Sequence, residues 1–290
     1  MQERFIFILL FIPLMIQCQT DLGTLTYQCS VPNFLYENSG MEMEIGQNQI
    51  YMINDSGNAN SVYAIDATTG EMKREITISN AQNKDWEDLT LVEGDLFVGD
   101  FGNNKNYRKD LVIYWISDIN SYQNVQNTAF AKTISFSFED QSKYPPKKKK
   151  RNFDVEAFIA KDDALYLFTR NRSSKFDGTV KCYKLLIKEG KQLAKLVGSY
   201  SFCDDWPSCQ ITSADYHPAS NTIALLSYNK VWLLNNFKGD NFFMGQITTY
   251  HLGHNSQKEA LCFKDAHTLY LGEESKKNVG GAVYNLQLKQ

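Results

Sequence analysis

The sequence predicts an all-β fold, a five-bladed β-propeller of four-stranded blades, on three observations. A strand-opening motif recurs at blade-sized intervals, each interval holds four strand-like runs, and the last interval is one strand short while the N-terminus offers one to spare. The motif copies read NSGMEMEI from Asn38, DWEDLTLV from Asp85, DVEAFIA from Asp154, TSADYHP from Thr212 and QKEALCF from Gln257. Aligned on Met41, Leu89, Phe158, Tyr216 and Leu261, they are spaced 48, 69, 58 and 45 residues apart.

The first interval supplies SGMEME, QIYMI, SVYAI and MKREITI, and the second EDLTLV, DLFVG, LVIYWIS and KTISFSF. The third supplies EAFIA, ALYLFTR, TVKCYKLLI and AKLVGSYSF, and the fourth SADYH, TIALLS, KVWLLN and GQITTYHL. After EALCF, TLYLG and GAVYNLQL the chain ends, and TLTYQCSV from Thr24 is the strand that completes the ring and leaves no open sheet edge. Six blades, the alternative count, need strands that the sequence does not supply. Turn chemistry such as Asn54 to Asn58 and Gly99 to Asn104 joins the strands. The run Tyr144 to Arg151, with its proline pair and lysines, reads as a solvated loop.

Composition agrees with this reading and limits the partners. The 290 residues are 43% hydrophobic and 13% aromatic, enough for an extensive core, and a net charge of -3 provides no global field for nucleic acid. The apolar run Phe5 to Ile16 after Arg4 has the length of a signal-peptide core and is too short for a membrane span. Residues 1–18 are therefore read as an export or lipoprotein signal, with plain secretion and a lipid anchor at Cys18 both open, and 19–290 as one propeller domain. The product is expected to be secreted, periplasmic or surface-attached. Cys203 and Cys209 flank a turn and are the expected disulfide.

In a propeller blade the start of the first strand and the end of the second lie at the same face. This places Asp85, Glu87, Asp154, Glu156, Thr212, Asp215, Gln257 and Glu259 together with Asp55, Asp100, Asn103, Asn104, Arg170, Tyr228, Glu273 and Glu274 at one mouth of the channel. Converging carboxylates repel one another unless a cation compensates them. Calcium, which takes six to eight oxygen ligands in irregular geometry, suits such donors, and Glu87, Glu156, Asp215 and Glu259 are the predicted metal ligands. Asp85, Asp100, Asn103, Asn104, Arg108, Asp154, Arg170, Thr212, Gln257 and Glu273 are the predicted ligand-binding residues around them. The same acids could instead accept backbone N–H bonds between blades and hold the ring with no ligand, and Arg108 and Arg170 could supply the positive charge. Glu87 or Glu156 is the candidate general base should the site be catalytic.

The ordered phrases INDSGN, DWEDL, GDFGNN with Arg108 downstream, DVEAF, ITSADYHP and QKEAL resemble those of an uncharacterised group of exported bacterial propeller proteins, across essentially the whole mature chain. There is a more distant similarity to phytase-esterase-like and gluconolactonase-like propellers, in which mouth carboxylates hold calcium beside a hydrolytic site. That similarity implies a metal-assisted hydrolase, although those propellers generally have six blades. The sequence reading therefore places first a binding propeller with calcium or a small polar ligand at its mouth, whose partner is a small polar molecule or a surface partner. A hydrolase of a phosphoester, ester or lactone and a purely structural propeller follow as alternatives.

Overall fold

The computed structural model describes residues 20–44, 46–275 and 281–289; the predicted signal, with Cys18, lies outside the described residues. The chain runs through β1 (Thr20–Leu22), β2 (Leu25–Ser30), β3 (Asn38–Met43), β4 (Gln49–Asn54), β5 (Ser61–Asp66), β6 (Met72–Ile78), β7 (Trp86–Val92), β8 (Asp95–Asp100), β9 (Leu111–Ile116), β10 (Gln126–Ala129) and β11 (Lys132–Phe138). It continues with β12 (Asp154–Lys161), β13 (Ala164–Arg170), β14 (Thr179–Leu186) and β15 (Gly190–Ser201), then β16 (Ser213–His217), β17 (Thr222–Leu226), β18 (Lys230–Asn235) and β19 (Gln246–His251). It ends with β20 (Lys258–Asp265), β21 (Thr268–Glu273) and β22 (Ala282–Gln287). Helix among the described residues is confined to short 3₁₀ turns, and no helix is long and apolar enough to cross a membrane.

The strand runs read from the sequence are present, in antiparallel order from an inner strand outward: β3 to β6, β7 to β9 with β11, β12 to β15, β16 to β19, and β20 to β22 with β2. β2 pairs antiparallel with β22, so the N-terminal strand completes the last run as expected. The hydrogen-bonded sheets nevertheless number four, because one of them has eight strands. The cause is the length of β15. Its C-terminal part pairs with β14, and its first residues overhang and pair in parallel with β11, Ile134 opposite Gly190 through Phe138 opposite Ala194. Two further parallel additions, β10 on β6 and β1 on β19, cover outer edges that would otherwise be open. No sequence pattern had predicted them.

The inner strands contact one another in a closed cycle, β3 with β7, β7 with β12, β12 with β16, β16 with β20, and β20 with β3. Five apolar clusters fill the seams between successive runs. Ile53 and Val62 meet Trp86 and Leu96; Phe97 and Phe136 meet Phe158 and Tyr183; Phe168 meets Ile223 and Trp232; Leu226 meets Leu261 and Leu271; Cys262 and Tyr270 meet Met52 and Tyr63. β3 and β13 are buried on both faces, whereas the outer β11 alternates between buried and more exposed positions. The result is an all-β, propeller-like ring.

Neighbouring inner strands share no backbone ladder, and side chains staple them instead. Glu42 accepts a hydrogen bond from Leu91 N at 3.1 Å, Thr90 Oγ1 from Ala160 N at 3.2 Å, and Asp215 from Phe263 N at 2.7 Å. Beside that layer, Asp88 accepts from Phe158 N and Ala214 N, and Ser213 Oγ from Leu261 N. A buried acid with two or three N–H donors is well satisfied, so these residues hold the ring together.

Candidate functional site

A repeated irregularity aims the acids at the mouth. The ladder between the first and second strands skips one residue at Ser39, Glu87, Glu156 and Glu259, the same relative position in four of the runs. Such a bulge leaves its extra residue out of register and turns its side chain away from the sheet. In the fourth run β16 pairs regularly with β17 from Ser213 onward, and Thr212 occupies the corresponding position.

Glu87 is the centre of the resulting group. Carboxylate oxygens of Asp55, Asp85 and Glu87 lie within 4.8 Å of one another, and so do those of Glu87, Asp154 and Glu156. The two halves differ in compensation. Arg172 pairs with Asp154 at 2.5 Å and Glu156 at 2.6 Å, and Arg170 pairs with Glu156 at 2.8 Å, so two guanidiniums face two carboxylates. Asp55, Asp85 and Glu87 have no ion pair among the described residues. Gly102 makes room for this side of the group: a Cβ there would stand 1.9 Å from Glu87 Oε1 and 2.6 Å from Asp85 Cγ.

Protonation follows the same division. Burial, and then the charges of Glu156, Asp55, Asp85 and Asp154, push the Glu87 carboxyl well above its usual range. Burial also raises Asp55 to about 7, with Asp85, Glu259 and Glu156 adding to the effect, and raises Asp85 to about 6 against the pull of Arg108. Asp154 is raised to about 7 by burial and Glu156, in spite of Arg172. Burial opposes the Glu156 charge too, but Arg170 and Arg172 outweigh it and hold its pKa below the ordinary value.

The structure separates the residues proposed from sequence. Of the four predicted metal ligands, only Glu87 and Glu156 share a group. Glu259 accepts from Tyr228 Oη at 2.7 Å and lies 3.9 Å from Arg170 Nη1. Asp215 is not brought to the mouth, because the matching position of the fourth run is Thr212, three residues before it. Its counterpart in ring stapling is Thr90, and Thr212 is the counterpart of Glu87. Three strand residues span about 10 Å, so Asp215 sits deeper, hydrogen-bonded to Glu42, with burial raising its pKa to about 6.

Several predicted ligand-binding residues are engaged in structure. Arg108 binds Asp100 at 2.7 Å and Asp110 at 3.2 Å. Asn103 N donates to Asp154 at 2.5 Å, and its side chain spans Phe153 O and Arg108 N. Thr212 donates to Lys258 O, and Gln257 to Glu274. Asn104 is exposed, and Glu273 lies 3.9 Å from the buried Lys258. Arg170 joins two runs, donating to Glu156 in its own and to Gln210 and Tyr228 Oη in the next. The predicted disulfide joins Cys203 to Cys209, and Cys29, Cys182 and Cys262 are buried free thiols.

Two residues of the group were missed. Arg172 lies two positions beyond Arg170, and an extended chain returns every second residue to the same face, so the RNR spacing was the available signal. Asp55 was placed at the mouth without a role, since its proximity to Asp85 depends on Asn83, which donates to Asn54 O and Asp55 O and draws the two loops together.

The described residues thus define a propeller-like all-β protein with an acid-rich, partly arginine-compensated mouth. No family model matches the chain, and no curated protein sequence matches it. Among solved structures it is similar to the major allergen Mala s 1 of Malassezia sympodialis, with TM-score 0.56 and 12% identity over 89% of this chain and 93% of that one. It is also similar to the PQQ-bound aldose sugar dehydrogenase of Streptomyces coelicolor, with TM-score 0.51 and 10% identity over 91% and 98% of the two chains. A gluconolactonase of Xanthomonas campestris has a TM-score of 0.45 and 12% identity over 87% of this chain and 72% of its own. At these identities the first two likenesses speak for the fold alone.

Proposed function

We propose that this chain is an exported five-bladed β-propeller that binds a calcium ion at its mouth through Asp55, Asp85 and Glu87, and through the ion a small polar ligand. The blade count rests on the closed cycle of five inner strands and the five seam cores, with the eight-stranded sheet read as two blades joined at their rims. Export is supported by the Cys203–Cys209 disulfide together with the N-terminal signal pattern.

The observation that carries the cation reading is the uncompensated half of the mouth. Oxygens on a calcium ion stand about 2.3 to 2.6 Å from it, so ligands on opposite sides are separated by about 5 Å. Three carboxylates within 4.8 Å, with no ion pair among the described residues, fit that sphere and leave room for water or a ligand oxygen. The Glu87, Asp154 and Glu156 group is a poorer place for an ion, because two arginines already occupy its charge. The test is calcium titration calorimetry on chelator-treated protein. Saturable binding of one ion that Asp55→Asn plus Asp85→Asn abolishes is expected; no heat at millimolar calcium would leave a structural ring with no ion.

A second reading, a cation-assisted hydrolase of a phosphoester, ester or lactone, is favoured by Arg172. Its side chain is 19% exposed, against 9% for Arg170, so it presents charge to solvent beside the carboxylates that share a group with Glu87. A bound ion would polarise the substrate oxygen, Arg172 would hold a negative charge, and Glu87 would take the proton of water. Calcium-dependent turnover in a screen of such substrates, lost in Glu87→Gln, would place this reading first.

A further inference from the structure

The lysine run between β11 and β12 forms one wall of a cavity of about 820 Å³, together with the start of β12 and the loop after β13. We propose that this cavity binds a multiply charged small oxyanion, one carrying several sulfate or phosphate groups, at a site separate from the acid-rich mouth.

Charge is the first support. The lining includes Lys143, Lys147, Lys149, Lys150 and Lys175, none of which has an ion pair among the described residues. The two acids of the lining are already engaged: Asp140 with Lys181 at 2.6 Å and with Tyr183 Oη, Asp177 with Asn171 and Thr179 N. Six lysines and two acids line the concavity, an excess of four positive charges, and an anion inside relieves their repulsion.

The wall is also held in place. Ser173 Oγ donates to Lys149 O at 2.9 Å, Ser174 N to Lys148 O at 3.2 Å, and Arg172 N to Arg151 O at 3.0 Å. A lysine run fixed through its backbone keeps its ammonium groups near the cavity, which lowers the ordering cost of binding. Lysine supplies point charges without the planar fork of arginine, which suits several spread oxyanions better than one carboxylate gripped in bidentate fashion. The volume exceeds what a single sulfate would fill.

Calorimetry at 150 mM salt tests this with two probes, inositol hexakisphosphate and a heparin-derived sulfated tetrasaccharide, which separate a phosphate from a sulfate source. Wild type should bind at least one of them saturably. The triple variant Lys147→Gln, Lys149→Gln, Lys150→Gln should weaken binding by about tenfold, as expected for three exposed contacts. These side chains are exposed, so the fold should be retained, and unchanged thermal unfolding verifies that. Lys73→Gln, Lys238→Gln, Lys264→Gln removes equal charge elsewhere and should leave affinity within about twofold. Failure of both probes to bind wild type, or equal losses in the two triple variants, overturns the proposal.

Discussion

Replacing Glu87 by glutamine separates the cation reading from every account in which Glu87 is only structural. Without an ion, burial and four neighbouring acids push this carboxyl well above its usual range and so favour its neutral form, and it accepts no hydrogen bond from another described residue. Glutamine has nearly the same size and is also neutral, so the chelated variant should melt within about 2 °C of chelated wild type. Calcium should then distinguish them. An ion at a hundred times its Kd stabilises wild type by about 2.7 kcal/mol, which for a domain of this size raises the melting temperature by about 5 to 10 °C. The variant supplies an amide oxygen where the ion needs a charged carboxylate, so most of this rise should vanish. Differential scanning calorimetry with chelator, calcium or magnesium gives all the required comparisons. A variant that gains as much from calcium as wild type refutes the assignment, and so does a wild type that gains nothing.

Other perturbations read the same site from different sides. In chelated protein Asp55 and Asp154 stand at about 7 and Asp85 at about 6, against 3.8 for the ordinary carboxyl, so the folded state binds these protons more tightly than the unfolded state. The stability they contribute is complete below about pH 4 and is lost as pH rises through 6 to 7; Asp55 alone corresponds to about 4 kcal/mol, and mutual repulsion keeps the three from adding. Urea midpoints at pH 5 and pH 8 should therefore fall with rising pH, and calcium should reverse the trend. Because the ion displaces these protons, its affinity should climb between pH 5 and pH 8 and level off above, as calorimetry in two buffers can follow. Gly102→Ala places a methyl against Glu87 and Asp85, and should cost about 1 to 3 kcal/mol in a denaturant melt while abolishing the calcium response. Arg172→Ala strips Asp154 and Glu156 of one partner and should destabilise chelated protein by about 3 kcal/mol, with calcium recovering part of the loss.

Much of the ring was legible because strand patterning is local. Alternation and turn chemistry identified runs such as EDLTLV and DLFVG, and the unmatched strand near Thr24 indicated how the last run is completed. The parallel additions were not legible, since the overhang of β15 onto β11 depends on where β14 ends and on no motif of its own. The site was half legible. Glu87 and Glu156 stood out as acids at repeated positions, but Asp215 was grouped with them although it stands three residues past Thr212, the matching position of its run. Which acids are compensated was beyond the sequence, because Arg172 reaches Asp154 and Glu156 from the neighbouring strand end.

The union of β11 with β15 bears on how tightly an ion can be held. Asp85 and Glu87 belong to one of the two joined runs, and Asp154 and Glu156 to the other. The five-residue parallel pairing fastens the two runs to each other at their outer rims. Asp55 comes from a separate sheet, on the loop after β4. On the proposed reading, an ion held by Asp55, Asp85 and Glu87 would bridge the seam between the runs of β3 and β7 and tie the joined pair to the run beside it.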